Sequence, residues 1–122
     1  MEYLLIGLGG VLGANARYLV AGWAARRFGM AFPYGTFLIN LSGSFILGLF
    51  TAFMLKHPAS HYPRLFFAVG FLGAYTTFST FSLESLQLLQ NGQAWLSLSY
   101  TVSSAVLGIF GAWLGFSLGR GF

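Results

Sequence analysis

Five serine and threonine side chains lie within the otherwise apolar segment GFLGAYTTFSTFSLE, residues 70–84. If this segment crosses a membrane, lipid cannot satisfy these polar groups, so they must face protein, water or an ion. Hydroxyl groups both donate and accept hydrogen bonds and can replace part of the hydration shell of an ion. The segment is therefore the first candidate for a functional site.

Glu84 is the only acidic residue within the apolar part of the chain, since Glu2 lies at the N-terminus. An enzyme such as a membrane kinase or protease would need clustered carboxylates, paired histidines or a nucleophile with a base, so the enzyme classes are poorly supported. One carboxylate does suit a proton-coupled multidrug exporter, which stays an alternative. Arg17, Asn40 and the hydroxyl groups instead supply N–H and O–H donors, which favour an anion.

Phe78 and Phe81 are spaced i, i+3 and would lie on neighbouring parts of one helix face. Ser79, Thr80 and Ser82 are interleaved with them, so much of this helix is polar. The edge of an aromatic ring is electropositive and could replace some of the hydration of a small anion. Ordinary packing is the competing interpretation, because the chain has 14 phenylalanines. Rings and hydroxyl groups together favour a narrow, dehydrating passage.

The composition indicates an all-α membrane protein that forms a single domain over residues 1–122. Of its 122 residues, 57% are hydrophobic and 7% are charged, whereas soluble domains carry roughly 25% charged residues. A hydrocarbon core of about 30 Å requires about 20 apolar residues for each helix. Four segments meet this requirement, roughly Tyr3–Ala25, Pro33–Leu55, Pro63–Leu89 and Ala94–Leu118.

Charges and cysteines exclude further classes of protein. The apolar stretch that follows Glu2 has no basic region before it and continues past Ala14, which predicts a spanning helix and not a signal peptide. The absence of cysteine excludes disulfides and thiolate metal sites. The net charge of +4 comes from scattered basic residues, so nucleic acid is not an expected partner.

The third segment is too long for one straight span. As a continuous helix it would measure about 40 Å at ~1.5 Å per residue, compared with about 30 Å for the hydrocarbon core. Gly73 permits a break, and the threonines that follow can satisfy the backbone groups that a break releases. We therefore predict a third helix that is broken near Gly73–Thr77.

Small residues recur at helical spacing in the other segments. They include Gly9 and Gly13 in the first segment, Thr36, Asn40, Gly43 and Gly48 in the second, and Gly111, Gly115 and Gly119 in the fourth. Glycines at this spacing favour close packing of helices in a membrane. Asn40 differs from them, because an amide at mid-membrane must form hydrogen bonds.

The basic residues show almost no bias between the two sides of the predicted bundle. One side carries Lys56, Arg64 and Arg120, and the other carries Arg26 and Arg27, with Arg17 deeper in the first helix. Because the bias of Lys and Arg sets orientation, we expect insertion in both directions. The sequence therefore predicts a dual-topology antiparallel homodimer, in which backbone carbonyls near the break of each copy could hold a hard monovalent cation.

Three motifs resemble the Fluc family of fluoride-specific channels. They are GGVLGANARY at 9–18, YGTFLINLSGSFILG at 34–48 and GFLGAYTTFSTFSLE at 70–84. The resemblance extends over essentially the whole chain and implies a multi-pass protein of the bacterial inner membrane. It implies an antiparallel homodimer with two pores, surrounded by lipid, that lets fluoride leave the cytoplasm passively.

The resemblance also implies roles for individual residues. Pore residues would be Asn40, Phe78, Phe81, Ser79, Thr80 and Glu84, together with Tyr100 and Ser104 on the fourth helix. Arg17 would belong to a vestibule that attracts anions. The backbone carbonyls of Gly73 and Thr76 would hold a structural sodium ion at the dimer interface.

Overall fold

A computed structural model describes residues 1–58 and 60–121. It contains α1 (Glu2–Phe28), α2 (Tyr34–Lys56), a π-helical segment (Arg64–Leu72), α3 (Gly73–Tyr75), α4 (Phe78–Gln90) and α5 (Ala94–Gly119). The described residues form four spans long and apolar enough to cross a membrane, with the π-helical segment, α3 and α4 together making the third, Arg64–Gln90. The all-helical class and the four predicted spans are confirmed.

The third span changes its backbone conformation along its length. Arg64–Leu72 is wound as a π helix, in which each amide pairs with the carbonyl five residues earlier, and nothing in the sequence pattern predicts this winding. Thr76 (φ −77°, ψ 157°) and Thr77 (φ −150°, ψ 119°) are extended and separate α3 from α4. The backbone between these two helices is thus extended in the middle of an apolar span.

Glycines allow two pairs of helical segments to pack closely. α1 lies against the π-helical segment, where a methyl group added at Gly13 would overlap the backbone carbonyl of Phe71. α5 lies against α2, where Gly115 faces the backbone carbonyl of Phe45 in the same way. Both observations confirm the close helix packing that the glycine spacing predicts.

The core lies where α2 meets the third span. Ile39, Leu72 and Tyr75 are buried there. The rings of Phe67 and Phe71 are parallel with centroids 5.5 Å apart, and Phe71 stacks on Tyr75 at 5.9 Å. The Tyr75 hydroxyl lies 2.9 Å from the hydroxyl of Ser42, so the one polar atom of this stack is hydrogen-bonded to α2. This packing fixes the end of α3, from which the extended threonines lead to α4.

Candidate functional site

Asn40 holds the extended backbone in front of α4. Its side-chain oxygen accepts a hydrogen bond from the Thr77 amide at 2.8 Å, and its side-chain NH2 donates to the Thr77 carbonyl at 3.0 Å. In a continuous helix the Thr77 amide would pair with the carbonyl of Gly73, four residues earlier. The Asn40 side chain therefore replaces the backbone carbonyl that would accept from the Thr77 amide in a helix. The hydrogen bonds that an amide at mid-membrane must form are thus made to Thr77.

Thr77 also begins α4. Its hydroxyl oxygen accepts a hydrogen bond from the Thr80 amide at 3.3 Å, as the N-cap residue of a helix does. The same hydroxyl donates to the hydroxyl of Thr80 at 3.0 Å. Because Thr77 is buried and paired on both its backbone and its side chain, the first turn of α4 is fixed to α2.

Phe78 and Phe81 have different surroundings although they lie on the same face of α4. Their ring centroids are 5.9 Å apart. Phe81 packs against Tyr100 of α5 with centroids 5.2 Å apart and an interplanar angle of 64°. Phe78 is 80% exposed. One ring of the predicted pair is thus partly buried against α5, and the other projects from the bundle.

Two hydroxyl groups on α5 are buried without a hydrogen-bond partner among the described residues. The Tyr100 side chain is fully buried, and neither its hydroxyl nor that of Ser104 is hydrogen-bonded to another group in the described part of the chain. An unpaired buried hydroxyl costs free energy, typically about 1–3 kcal/mol. The two residues are spaced i, i+4 and therefore lie on the same face of α5.

Glu84 lines a recess of about 410 Å³ at the end of the bundle that is formed by residues 29–35 and the C-terminal half of α4. Thr36 of α2 donates a 2.5 Å hydrogen bond to its carboxylate. Thr80, Gln87 and Asn91 line the same recess. A recess of this size that carries several polar side chains can admit water and hydrated ions to the interior of the span.

A second recess, of about 300 Å³, lies beside the extended threonines. It is lined by Asn40, Gly73, Thr76 and Phe78, among others. The hydroxyl of Thr76 donates to the carbonyl of Leu72 at 2.9 Å. The structure thus places the two residues expected to offer backbone carbonyls next to the expected pore asparagine.

Most of the residues predicted for the site lie on α2, α4 and α5. Ser79 and Thr80 are exposed in the first turn of α4. Arg17 is half-buried on α1 and does not line the recess that contains Glu84. Thr36 is a functional candidate that sequence reasoning missed. Its i, i+4 spacing from Asn40 was the available signal.

A family model described as CrcB-like protein, Camphor Resistance (CrcB), matches residues 4–116. A protein of Acidobacterium capsulatum named fluoride-specific ion channel FluC is 48% identical over 121 residues, which cover 98% of this chain and 97% of that protein. Proteins with the same name from Rhizobium meliloti and Thermus thermophilus are 45% and 44% identical, covering 96% and 97% of this chain and 94% and 93% of their own lengths. The similarity includes every span described above.

Proposed function

Because this chain belongs to the CrcB-like protein family, we propose that it is a fluoride-specific ion channel that lets fluoride leave the cytoplasm passively and so lowers its toxicity. The identity of the ion, fluoride, is taken from the name of the relatives that match nearly the full chain. The observation in the structure that supports it is the pair of buried hydroxyl groups of Tyr100 and Ser104, which have no hydrogen-bond partner among the described residues. The ring of Tyr100 lies against that of Phe81. A multi-pass protein with relatives named as channels is also not expected to be an enzyme.

The path that we propose runs between α2, α4 and α5. Fluoride would enter from the recess that contains Glu84 and pass the hydroxyl groups of Ser79 and Thr80 on α4 and the side chain of Asn40 on α2. It would then pass the ring edges of Phe78 and Phe81 and the hydroxyl groups of α5. Arg17 would act at a distance, by raising the local concentration of anions in a vestibule.

Fluoride is small and strongly hydrated, so a passage must offer donors at each position where water is removed. A buried hydroxyl group that lacks a partner can donate to the ion without first breaking a bond to the protein. The Tyr100 and Ser104 hydroxyl groups meet this condition within the described residues. The electropositive edges of the two phenylalanine rings add attraction without binding the anion tightly.

We propose that two copies pair in antiparallel orientation, with two pores in each dimer. The exposed ring of Phe78 supports this arrangement, because a pore ring that projects from one protomer needs a second protomer to enclose the path. The recess that contains Gly73, Thr76 and Phe78 opens on the same face. The membrane would be the bacterial inner membrane, since the fluoride that must leave accumulates in the cytoplasm.

We further propose that the extended backbone of Thr76 and Thr77 breaks the third helix in order to expose backbone carbonyls. The carbonyls of Gly73 and Thr76 would then hold a structural sodium ion between the two copies. The ligands fit such an ion, because carbonyl oxygens that accept no hydrogen bond can coordinate a cation. The Thr77 amide donates to Asn40, so the Gly73 carbonyl lacks its usual helical partner. Oxygen ligands suit hard monovalent cations. Ion-substitution diffraction should show density between the paired segments that follows the cation; bridging waters there would contradict the site.

Fluoride efflux from liposomes tests the proposed function. Purified protein in potassium fluoride liposomes with valinomycin should release fluoride without a proton gradient and should not release chloride. A proton-coupled multidrug exporter would instead show proton-dependent uptake of an organic cation that Glu84→Gln abolishes. A purely structural membrane subunit would show neither activity, and either outcome would overturn the channel proposal.

A further inference from the structure

α4 carries the candidate pore residues but has few neighbours within the protomer. Its only buried residue is Leu88, and its packing against α5 and α2 is much less extensive than the packing of α2 against α5. Apolar contact alone therefore does little to set the rotation and depth of α4. In a membrane, where apolar surfaces gain little from meeting one another, side-chain hydrogen bonds between helices become the more specific restraint.

Three hydroxyl groups connect the middle of α4 with α5. The hydroxyl of Ser97 donates to the backbone carbonyl of Ser85 at 2.7 Å. The hydroxyl of Thr101 donates to the hydroxyl of Ser85 at 3.2 Å, and the Ser85 hydroxyl donates in turn to the carbonyl of Phe81 at 2.9 Å. We call Ser85, Ser97 and Thr101 the hydroxyl clasp.

The hydroxyl clasp lies next to the contact between the rings of Phe81 and Tyr100, which line the proposed path. Ser97 and Thr101 lie three residues before and one residue after Tyr100 on α5, and Ser85 lies four residues after Phe81 on α4. The clasp therefore joins the two helices at the level where the Phe81 ring meets Tyr100 at 5.2 Å. A shift of α4 along or around its axis at this level would change the separation of these rings directly.

We propose that Ser85, Ser97 and Thr101 are positioning residues, which fix the middle of α4 against α5 and thereby hold Phe81 against Tyr100. They act beside Thr77 and Glu84, whose hydrogen bonds attach α4 to α2. This proposal rests on the proposed function, because it assigns the clasp a role in fluoride passage. None of the three side chains needs to touch fluoride. The clasp acts through the position of the Phe81 ring, and loss of one of its hydrogen bonds alters the path while leaving the bundle assembled.

Thr101→Val is the most informative substitution, because valine keeps the shape of threonine and removes the hydroxyl. Thr101 is exposed, so the variant is expected to fold. In planar bilayers its single-channel fluoride current should fall by up to about threefold, because the loss of one interhelical hydrogen bond changes the equilibrium between two positions of α4 by about that factor. Thr101→Ser keeps the donor and should restore the current.

Thr51→Val is the matched control. Thr51 is an exposed threonine on α2 whose hydroxyl, within the described residues, donates to the Leu47 carbonyl of its own helix. The single-channel current of Thr51→Val should therefore equal that of the unmodified protein. Ser85→Ala should lower the current at least as much as Thr101→Val, because it removes the bond from Thr101 and also the bond to the Phe81 carbonyl. The double variant should be no worse than Ser85→Ala alone, because Thr101→Val removes a bond that Ser85→Ala has already removed. Additive losses in the double variant would contradict a shared role.

A structural role alone would give a different pattern. In that case Thr101→Val would lower the melting temperature and the fraction of active protein, while the current of each remaining channel stayed unchanged; this result overturns the proposal. ¹⁹F NMR of 4-fluorophenylalanine placed at position 81 provides a test that does not depend on fluoride flux. We expect a shifted or split signal in Thr101→Val, and an unchanged signal would contradict positioning even if the protein were not a fluoride channel.

Discussion

At the scale of single residues, the site combines groups that are fully paired with groups that are left unpaired. Asn40 and Thr77 satisfy each other through two hydrogen bonds, and Thr36 donates to Glu84. Tyr100, in contrast, is buried with an unpaired hydroxyl among the residues described. The paired groups hold the backbone in place, and we propose that the Tyr100 hydroxyl is available to the ion.

Phe81→Ile should reduce fluoride flux strongly without preventing assembly. Isoleucine keeps the apolar character of the position but removes the electropositive ring edge and the contact with Tyr100. The measurement is fluoride efflux from liposomes, with the oligomeric state checked by size-exclusion chromatography. Phe110→Ile is the control, since Phe110 is an exposed ring elsewhere on α5. Unchanged flux in Phe81→Ile would remove this ring from the proposed path.

At the scale of helical elements, glycines allow neighbouring helices to pack closely, and two threonines interrupt the third span. α1 and the π-helical segment approach so closely that a carbonyl of one lies against a glycine of the other. Thr76 and Thr77 have an extended backbone, which ends α3 and allows α4 to begin as a separate helix. Since β-branched residues favour extended backbone, two adjacent threonines are suited to this position.

Gly13→Ala should destabilise the protein by about 1–3 kcal/mol, the usual effect of overpacking a core. The added methyl group would overlap the Phe71 carbonyl, which is part of a helical backbone and has little freedom to move. Thermal unfolding in detergent measures the effect. Gly7→Ala on the same helix has open space around the added methyl group and should not lower the melting temperature. Equal behaviour of the two variants would show that close approach at Gly13 does not limit stability.

At the scale of the whole molecule, the proposed assembly depends on the weak charge bias between the two sides of the membrane. One side carries Lys56 at the end of α2, Arg64 at the start of the π-helical segment and Arg120 after α5. Lys56 donates a hydrogen bond to the Arg120 carbonyl. Arg26 and Arg27 occupy the last turn of α1 at the other side. Few charges therefore decide the orientation, and few substitutions should change it.

Two oppositely biased variants should each be inactive and should recover activity together. Met30→Lys with Gln90→Lys adds positive charge to one side, and Ser60→Lys with His61→Lys adds it to the other. Each should insert in a single orientation, because Lys and Arg bias determines topology. Fluoride resistance of cells that express one or both variants is the measurement, with cysteine labelling to confirm orientation. Full activity of a single variant would contradict an antiparallel dimer.

The sequence by itself determines the membrane class, the four spans and the hydroxyl-rich region, because hydrophobic length and composition act locally and need no tertiary contact. Its three motifs also indicate the family. Only the tertiary structure decides that Asn40 pairs with Thr77, that Thr36 meets Glu84 and that Ser97 and Thr101 meet Ser85. These pairs come from different helices. Their contact depends on how each helix rotates and crosses its neighbours, which the spacing within one helix does not specify.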